Sequence, residues 1–577
     1  MSLQRFLEVF CFCVLALLLA GCGCRQEAAA DLVIRNGVIY TMDENQPTAE
    51  AVAVAGGKIV FVGSSQEVQS RTGPQTQVID LQGKTMTPGF IESHGHLLSL
   101  GYAQSRLDLN EVENYDELVQ RVAEAVQQTQ PGEWILGRGW HQSKWTPPPR
   151  PMVRGFQTHH ALSKVSPNNP VYLKHASGHA GFANAKAMEI AGVTRATTFN
   201  KDGEIVKDAQ GNPTGIFNEL AQRLITDHIP ESTPERNRQA LELAIQNCLE
   251  NGITSFQDAG AGKEAIETYR EFLQQGRLKV RLWAMLAGRD EQLLNEWYEK
   301  GPEIGSGENF LTVRAIKLVC DGALGTRGAW LLEPYSDRPG HYGFKTLPME
   351  YVHKVAEEAL KNGFQLCVHA IGDRGNREVL DQFEKAFQAN PEAARDHRFR
   401  IEHAQHLNVR DIPRFAQLGV IASMQGIHMA SDRPWAIHRL GEARIVEGAY
   451  VWQKLLQSGA KVINGTDVPV EPINPIANFY ASVTRQTLRG TPAGGYEPDQ
   501  RMTRAQALRS YTLDAAYGAF EQDIKGSITV GKLADFTVFS QDIMQVPESE
   551  LLKTRVEMTI VGGEILYRRE AEAVSLK

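Results

Sequence analysis

Through the middle of the chain, short apolar runs alternate with longer amphipathic stretches, the rhythm of parallel strands joined by helices. Runs at 88–92, 253–256, 280–286, 313–319, 365–368, 399–401, 420–423 and 462–464 read as inner strands. The two ends have a different texture. Residues 32–34 and 38–40 flank Asn36-Gly37, residues 51–54 and 59–62 flank Gly56-Gly57, and residues 558–561 and 564–567 flank Gly562-Gly563. Each is a hairpin signal, because Asn and Gly accept the positive φ that tight strand reversals need. Residues 535–539 add a further apolar strand.

Eight inner strands predict a closed barrel; a doubly wound sheet would leave edge strands that the pattern does not show. The expected fold is α/β: a distorted TIM (β/α)8 barrel with a large insertion, plus a small β-sandwich formed from both termini. The predicted bounds are 31–86 with 524–577 for the sandwich and 87–523 for the barrel. That barrel zone is about 430 residues long, against roughly 250 for a plain barrel. The excess falls at about 101–246, which is expected to form a lid or side wall over the pocket.

Composition changes this picture little. The net charge of −8 comes with no block of Lys or Arg, so no nucleic-acid partner is expected. Cys248, Cys320 and Cys367 form no metal or disulfide pattern and read as buried free thiols. The first residues do matter. An apolar run of about twelve residues, too short to span a bilayer, ends in Leu19-Ala20-Gly21-Cys22. This resembles a bacterial lipobox. Residues 1–21 then form a lipoprotein signal peptide, Cys22 is the lipidation site and 22–30 a tether. The expected location is the bacterial cell envelope, anchored to a membrane through the N-terminal lipid.

In a barrel, chemistry sits at the C-terminal ends of the strands, and metal-binding residue types recur there. The first strand ends in His94-Gly95-His96, whose alternate imidazoles share one face. Lys317 lies in the fourth strand, His369 and His403 end the fifth and sixth, and Asp467 follows the eighth. A barrel interior ordinarily takes Val, Ile or Leu, whereas imidazole and carboxylate are ligands that zinc prefers. One HxH alone is weak evidence; the whole set in register is strong.

Six segments carry a wider resemblance: Pro88-Gly89-Phe90-Ile91-Glu92-Ser93-His94-Gly95-His96, Asp321-Gly322-Ala323-Leu324-Gly325, His369-Ala370-Ile371-Gly372-Asp373, Ile401-Glu402-His403-Ala404, Gly465-Thr466-Asp467-Val468-Pro469 and Gly531-Lys532-Leu533-Ala534-Asp535. In order and spacing the chain resembles the amidohydrolase superfamily, and within it family 3, the N-substituted formamide deformylase-like group. The resemblance implies that His94, His96 and Asp467 hold one divalent cation and that His369 and His403 hold a second. It also implies that Lys317, if carbamylated, bridges the two. Zinc is the expected metal, in one or two copies, with manganese, iron and nickel as alternatives.

The implied reaction is hydrolysis of a non-peptide C–N bond in a small amide-type molecule, with Asp467 and His428 as the catalytic groups. Trp140, His179, Arg327 and Arg374 are candidate substrate contacts, with Asn184 beside them. Two alternatives stand: an inactive substrate-binding lipoprotein on the same fold, and a deaminase or lactonase of the same superfamily. Oligomeric state is open, a homodimer included.

Overall fold

The computed structural model describes residues 29–104, 106–199, 202–230 and 233–570. The leader, Cys22 and most of the tether therefore lie outside the described residues. Among the described residues, no helix is long and apolar enough to cross a membrane.

All eight expected strands form: strand one Phe90–Gly95, two Ile253–Ala261, three Arg281–Ala287, four Leu311–Val319, five Gln365–Ala370, six Arg400–His403, seven Ile421–Met424 and eight Val462–Asn464. They pair in parallel in chain order, one to eight. The result is a nearly closed barrel of the kind the sequence predicts. The intervening helices are amphipathic, as a barrel's outer ring requires. Helix Asp373–Ala389, for example, buries Val379, Leu380, Phe383 and Ala386 on one stripe. Helix Pro234–Glu250 starts where Thr233 caps it by accepting the Arg236 N–H, with proline in its first turn. Cys248, Cys320 and Cys367 are buried free thiols.

Strands one and eight meet without a regular ladder, and a buried carboxyl group joins them. Glu92 accepts the Thr466 N–H at 2.8 Å, the Thr466 hydroxyl at 2.7 Å and the His94 N–H at 3.1 Å. Two backbone bonds of 2.8 Å complete the seam, Asp467 N–H to His94 O and His96 N–H to Val468 O.

Both ends of the chain contribute to two packed sheets. One holds Leu32–Arg35, Ala51–Ala55, Lys58–Gly63 and Gln77–Asp80; the other joins Val38–Tyr40, Thr48–Ala49 and Thr85–Pro88 to Phe536–Phe539, Val556–Val561 and Glu564–Arg568. Leu32, Val52, Met86, Phe536 and Ile560 share one apolar core between them. The hairpins at Gly56-Gly57 and Gly562-Gly563 form as expected. The one expected at Asn36-Gly37 does not. Asn36 does take positive φ, 57°, but the strands on either side enter different sheets. A local turn signal fixes a reversal; which strands then pair is decided by the partners each finds at long range.

The insertion forms its own six-stranded sheet, which runs from Leu107–Asp108 through Ile135–Trp140, Val171–His175, Ala180–Ala183 and Pro213–Glu219 to Gly203–Lys207. A core of its own, including Trp140, Trp145, Phe156 and Phe182, holds that sheet together.

Burial pushes the Glu92 carboxyl up to about 8, so an uncharged amide is a fair substitute. Glu92→Ala leaves buried N–H donors on Thr466 and His94 without an acceptor and should cost roughly 2–4 kcal/mol. Glu92→Gln should cost less than half of that. Equal destabilisation of the two variants in thermal or urea melts would argue against the seam.

Candidate metal centre

The barrel rim gathers side chains that lie hundreds of positions apart. Strand alternation carries Glu92 and His94 to the inner face, and His96 follows at the mouth. Lys317 projects from strand four, His369 from strand five and His403 from the end of strand six. His428 stands in the first turns of helix Gly426–Leu440, after strand seven. Asp467 stands near the start of the loop after strand eight, between Asn464 and the helix that begins at Pro475. His403, Ala404 and Asp467 have positive φ of 76°, 41° and 59°, a conformation that L residues adopt at a cost and that clusters at functional sites. At His403 it breaks strand alternation, so that consecutive residues Glu402 and His403 both serve the site.

The distances describe one cluster centred on Asp467. Its Oδ1 lies 3.2 Å from His96 Nε2 and 3.7 Å from His94 Nε2, and its Oδ2 lies 3.8 Å from His428 Nε2. Ligand atoms of His94, His96 and Asp467 lie within 4.8 Å of one another, as do those of His403, His428 and Asp467. The His369 and His403 rings are 4.5 Å apart, and those of His94 and His403 4.9 Å. Lys317 Nζ is 3.1 Å from His94 Nε2.

Hydrogen bonds set which ring nitrogen carries a lone pair. His94 Nδ1 donates to Glu402 Oε2 at 2.5 Å, and Glu402 is held by Arg400 Nε at 2.7 Å. Arg400 is fixed in turn by Ser93 O at 2.6 Å and Gln257 Oε1 at 2.5 Å. His403 Nδ1 donates to Gln425 Oε1 at 2.8 Å. Nε2 of both rings is therefore left to face the cavity with its lone pair, the arrangement that metal-binding histidines use. Burial favours the neutral ring: it pulls His94 down to about 4, and His369 and His403 well below their ordinary value. Burial alone would raise Asp467, but the His96 contact and the surrounding histidines hold it well below the usual carboxylate range.

The donor set fits a divalent cation. Nε2 of His369 and of His428 and Oδ1 of Asp467 are buried without a hydrogen-bond partner, a costly state for polar atoms with nothing to bind. Neutral imidazoles with one carboxylate suit zinc and its neighbours.

All six expected ligands line one cavity of about 240 Å³, together with His428 and His179. Three expected substrate contacts lie elsewhere. Trp140 is fully buried in the insertion's core, where its Nε1 donates to Leu173 O at 2.8 Å. Arg327 forms a two-bond ion pair with Asp337, at 3.1 and 2.9 Å. Arg374 stacks over Trp330 at 4.7 Å. In each case a strong local partner claims the side chain. Asn184 likewise caps helix Ala185–Ile190.

Sequence reading missed the residues that hold the ligands. Arg400 and Glu402 are two charged residues on one inner strand face, which was a usable signal. Asp321 accepts the N–H groups of Ile371, Gly372 and Trp330 at 2.8–3.0 Å and lies 3.4 Å from His369 Nε2; burial pushes it up to about 7. Glu219, at a φ of 50°, holds His179 Nδ1 at 2.8 Å. Glycines at 322 and 328 leave room for its carboxylate, since a Cβ there would fall 2.1 and 2.0 Å from Oε1. No local pattern announced that contact.

Residues 77–567 match the family described as the Amidohydrolase family. The chain is 34% identical over 551 residues to the protein LONG AFTER FAR-RED 3 of Arabidopsis thaliana, covering 93% of this chain and 92% of that protein. It is 29% identical over 550 residues to the N-substituted formamide deformylase of Arthrobacter pascens, covering 93% and 98%. Among solved structures it resembles a metal-dependent hydrolase of Pyrococcus horikoshii, with a TM-score of 0.71, 28% identity and coverage of 90% and 99%.

Glu402→Gln should lower metal affinity about 10- to 100-fold and, by leaving the buried Arg400 without its counter-charge, lower the melting temperature as well; His94→Ala should lower bound metal further. Elemental analysis of purified protein after dialysis measures both. Full metal occupancy in both variants would remove this cluster from consideration.

Proposed function

Because the chain belongs to the amidohydrolase family, we propose that it hydrolyses a non-peptide C–N bond, of an amide or N-formyl type, in a small molecule. The observation that carries this reading is the convergence of buried neutral imidazoles on one ionised carboxylate, Asp467, at the floor of a cavity. In the proposal His94, His96 and Asp467 hold one cation and His369 and His403 a second, zinc being the metal best suited to these donors. A bound cation of this kind supplies an acidified water and polarises a carbonyl.

The chain's own groups do the rest. Asp467 takes a proton from the attacking water and passes it to the departing nitrogen, which leaves poorly as an anion. His428 Nε2 faces Asp467 across the cavity, in position to bind the oxygen on which negative charge develops. The insertion lines the cavity with Arg138, His141, Lys174 and His179. Lys317 is buried, which lowers its pKa and makes the free amine accessible. Loss of the ammonium proton, then addition of carbon dioxide to the free amine with loss of a second proton, would replace a repelling cation with a carbamate carboxylate able to serve as a metal ligand. The relative named for deformylating N-substituted formamides makes N-formyl amines the first compounds to test.

The same proposal places the chain on a membrane of the cell envelope through lipidated Cys22. Cys22→Ala should move the protein from the membrane fraction to the soluble fraction; unchanged partitioning would remove the anchor from the proposal.

Asp467→Asn should reduce kcat on N-formyl or N-acyl amines by about 10²- to 10⁴-fold, the range for loss of a positioned proton carrier, with little change in melting temperature. A variant that works at the wild-type rate would sink the assigned role.

A further inference from the structure

Resting on the C–N hydrolase reading, we propose that the substrate carries a carboxylate, and that Lys174, with Arg138 and Arg106 beside it, binds that group on the wall contributed by the insertion. Lys174 lies in strand Val171–His175. It lines the metal-site cavity and also a neighbouring cavity of about 340 Å³, which Arg106 and Gly178 share. Gly178 has a φ of 79°, and a Cβ there would meet Lys174 Cε at 3.5 Å and Nζ at 3.9 Å. The ammonium therefore runs along the Gly178 backbone, one residue from His179, whose ring is 5.1 Å from that of His369. Lys174 and the rim histidines line the same cavity, so one small molecule can meet both.

The charges on this wall do not balance. Arg138 is positioned by neutral partners, Pro469 O at 3.1 Å and Ala176 O at 2.8 Å. Arg106 lies over the Tyr102 ring at 5.0 Å. Among the described residues, no carboxylate comes within ion-pair distance of Arg106, Arg138 or Lys174, and the acids of the two cavities are engaged elsewhere. Glu219 holds His179 at 2.8 Å, Glu471 lies 3.9 Å from Lys144, and Asp432 accepts from Gln405 at 3.2 Å. Burial and the neighbouring Arg138 and Arg106 push Lys174 down to about 8, which leaves it mainly charged at neutral pH. Partly buried cations that repel one another are costly unless an anion joins them. Asp467, the acid whose field reaches both Arg138 and Lys174, has its charge committed to the cation site. An incoming carboxylate supplies the missing counter-charge and orients the amide towards the rim.

The test compares two compounds of matched length, N-formyl-β-alanine and N-formylpropylamine, on the zinc-loaded full chain, with succinate binding measured by calorimetry. The wild type should favour the carboxylate compound at least tenfold in kcat/KM. Lys174→Met should lose at least tenfold of that preference, mostly through KM, Lys174→Arg should retain it and Lys174→Glu should reverse it. Succinate binding should weaken at least tenfold in Lys174→Met. If neither compound is hydrolysed yet succinate binding still depends on Lys174, the C–N reading fails and the anion site stands. A wild type that neither prefers the carboxylate compound nor binds succinate overturns the inference, as does a Lys174→Met variant that keeps both properties.

Discussion

The rim exists only because the first and last barrel strands are pinned together. Glu92 and Thr466 are 374 positions apart, and closing so long a loop carries an entropic cost that local structure cannot offset. The seam meets that cost with a buried carboxyl group that satisfies three donors and with two backbone bonds, one between Asp467 and His94 and one between His96 and Val468. The same contacts that close the barrel thus set the spacing of the candidate metal ligands. Strain points the same way: positive φ at His403 and Asp467 persists because the surrounding packing leaves those residues no alternative.

Burial then does two kinds of chemical work at the rim. It disfavours charge on the imidazoles, which keeps lone pairs available, and it strengthens the hydrogen bonds that aim them. The Arg400–Glu402 pair shows the economy of the arrangement. Two charges buried inside a barrel cancel each other, and the remaining carboxylate oxygen fixes the tautomer of His94. Asp467, like Glu402, departs from the rule that burial neutralises acids, because the histidines around it favour its ionised form. A carboxylate ringed by neutral nitrogen donors is half of a metal site before any cation arrives.

The insertion supplies a different kind of control. The barrel contributes the neutral and acidic donors at the floor, whereas the insertion contributes a cationic wall with its own sheet and core. In the proposed reading, reaction chemistry and substrate choice fall to parts with separate apolar cores, a division in which the wall can vary without disturbing the barrel donors.

By itself the sequence determined the alternation of strands and helices, the eight barrel strands, the two glycine hairpins and the six candidate ligand residues that the fold brings to one cavity. Each rests on periodicity, on turn chemistry or on residue types that a barrel interior would not otherwise tolerate, and such signals are local. Only the tertiary structure decided that the strands around Asn36-Gly37 part into different sheets, that Trp140, Arg327 and Arg374 turn to their own partners, and that Glu402, Asp321 and Glu219 stand behind the histidines. Those outcomes depend on what lies opposite a side chain after folding. A residue's type states what it can bind; the competition among its neighbours, which no local pattern encodes, settles what it does bind.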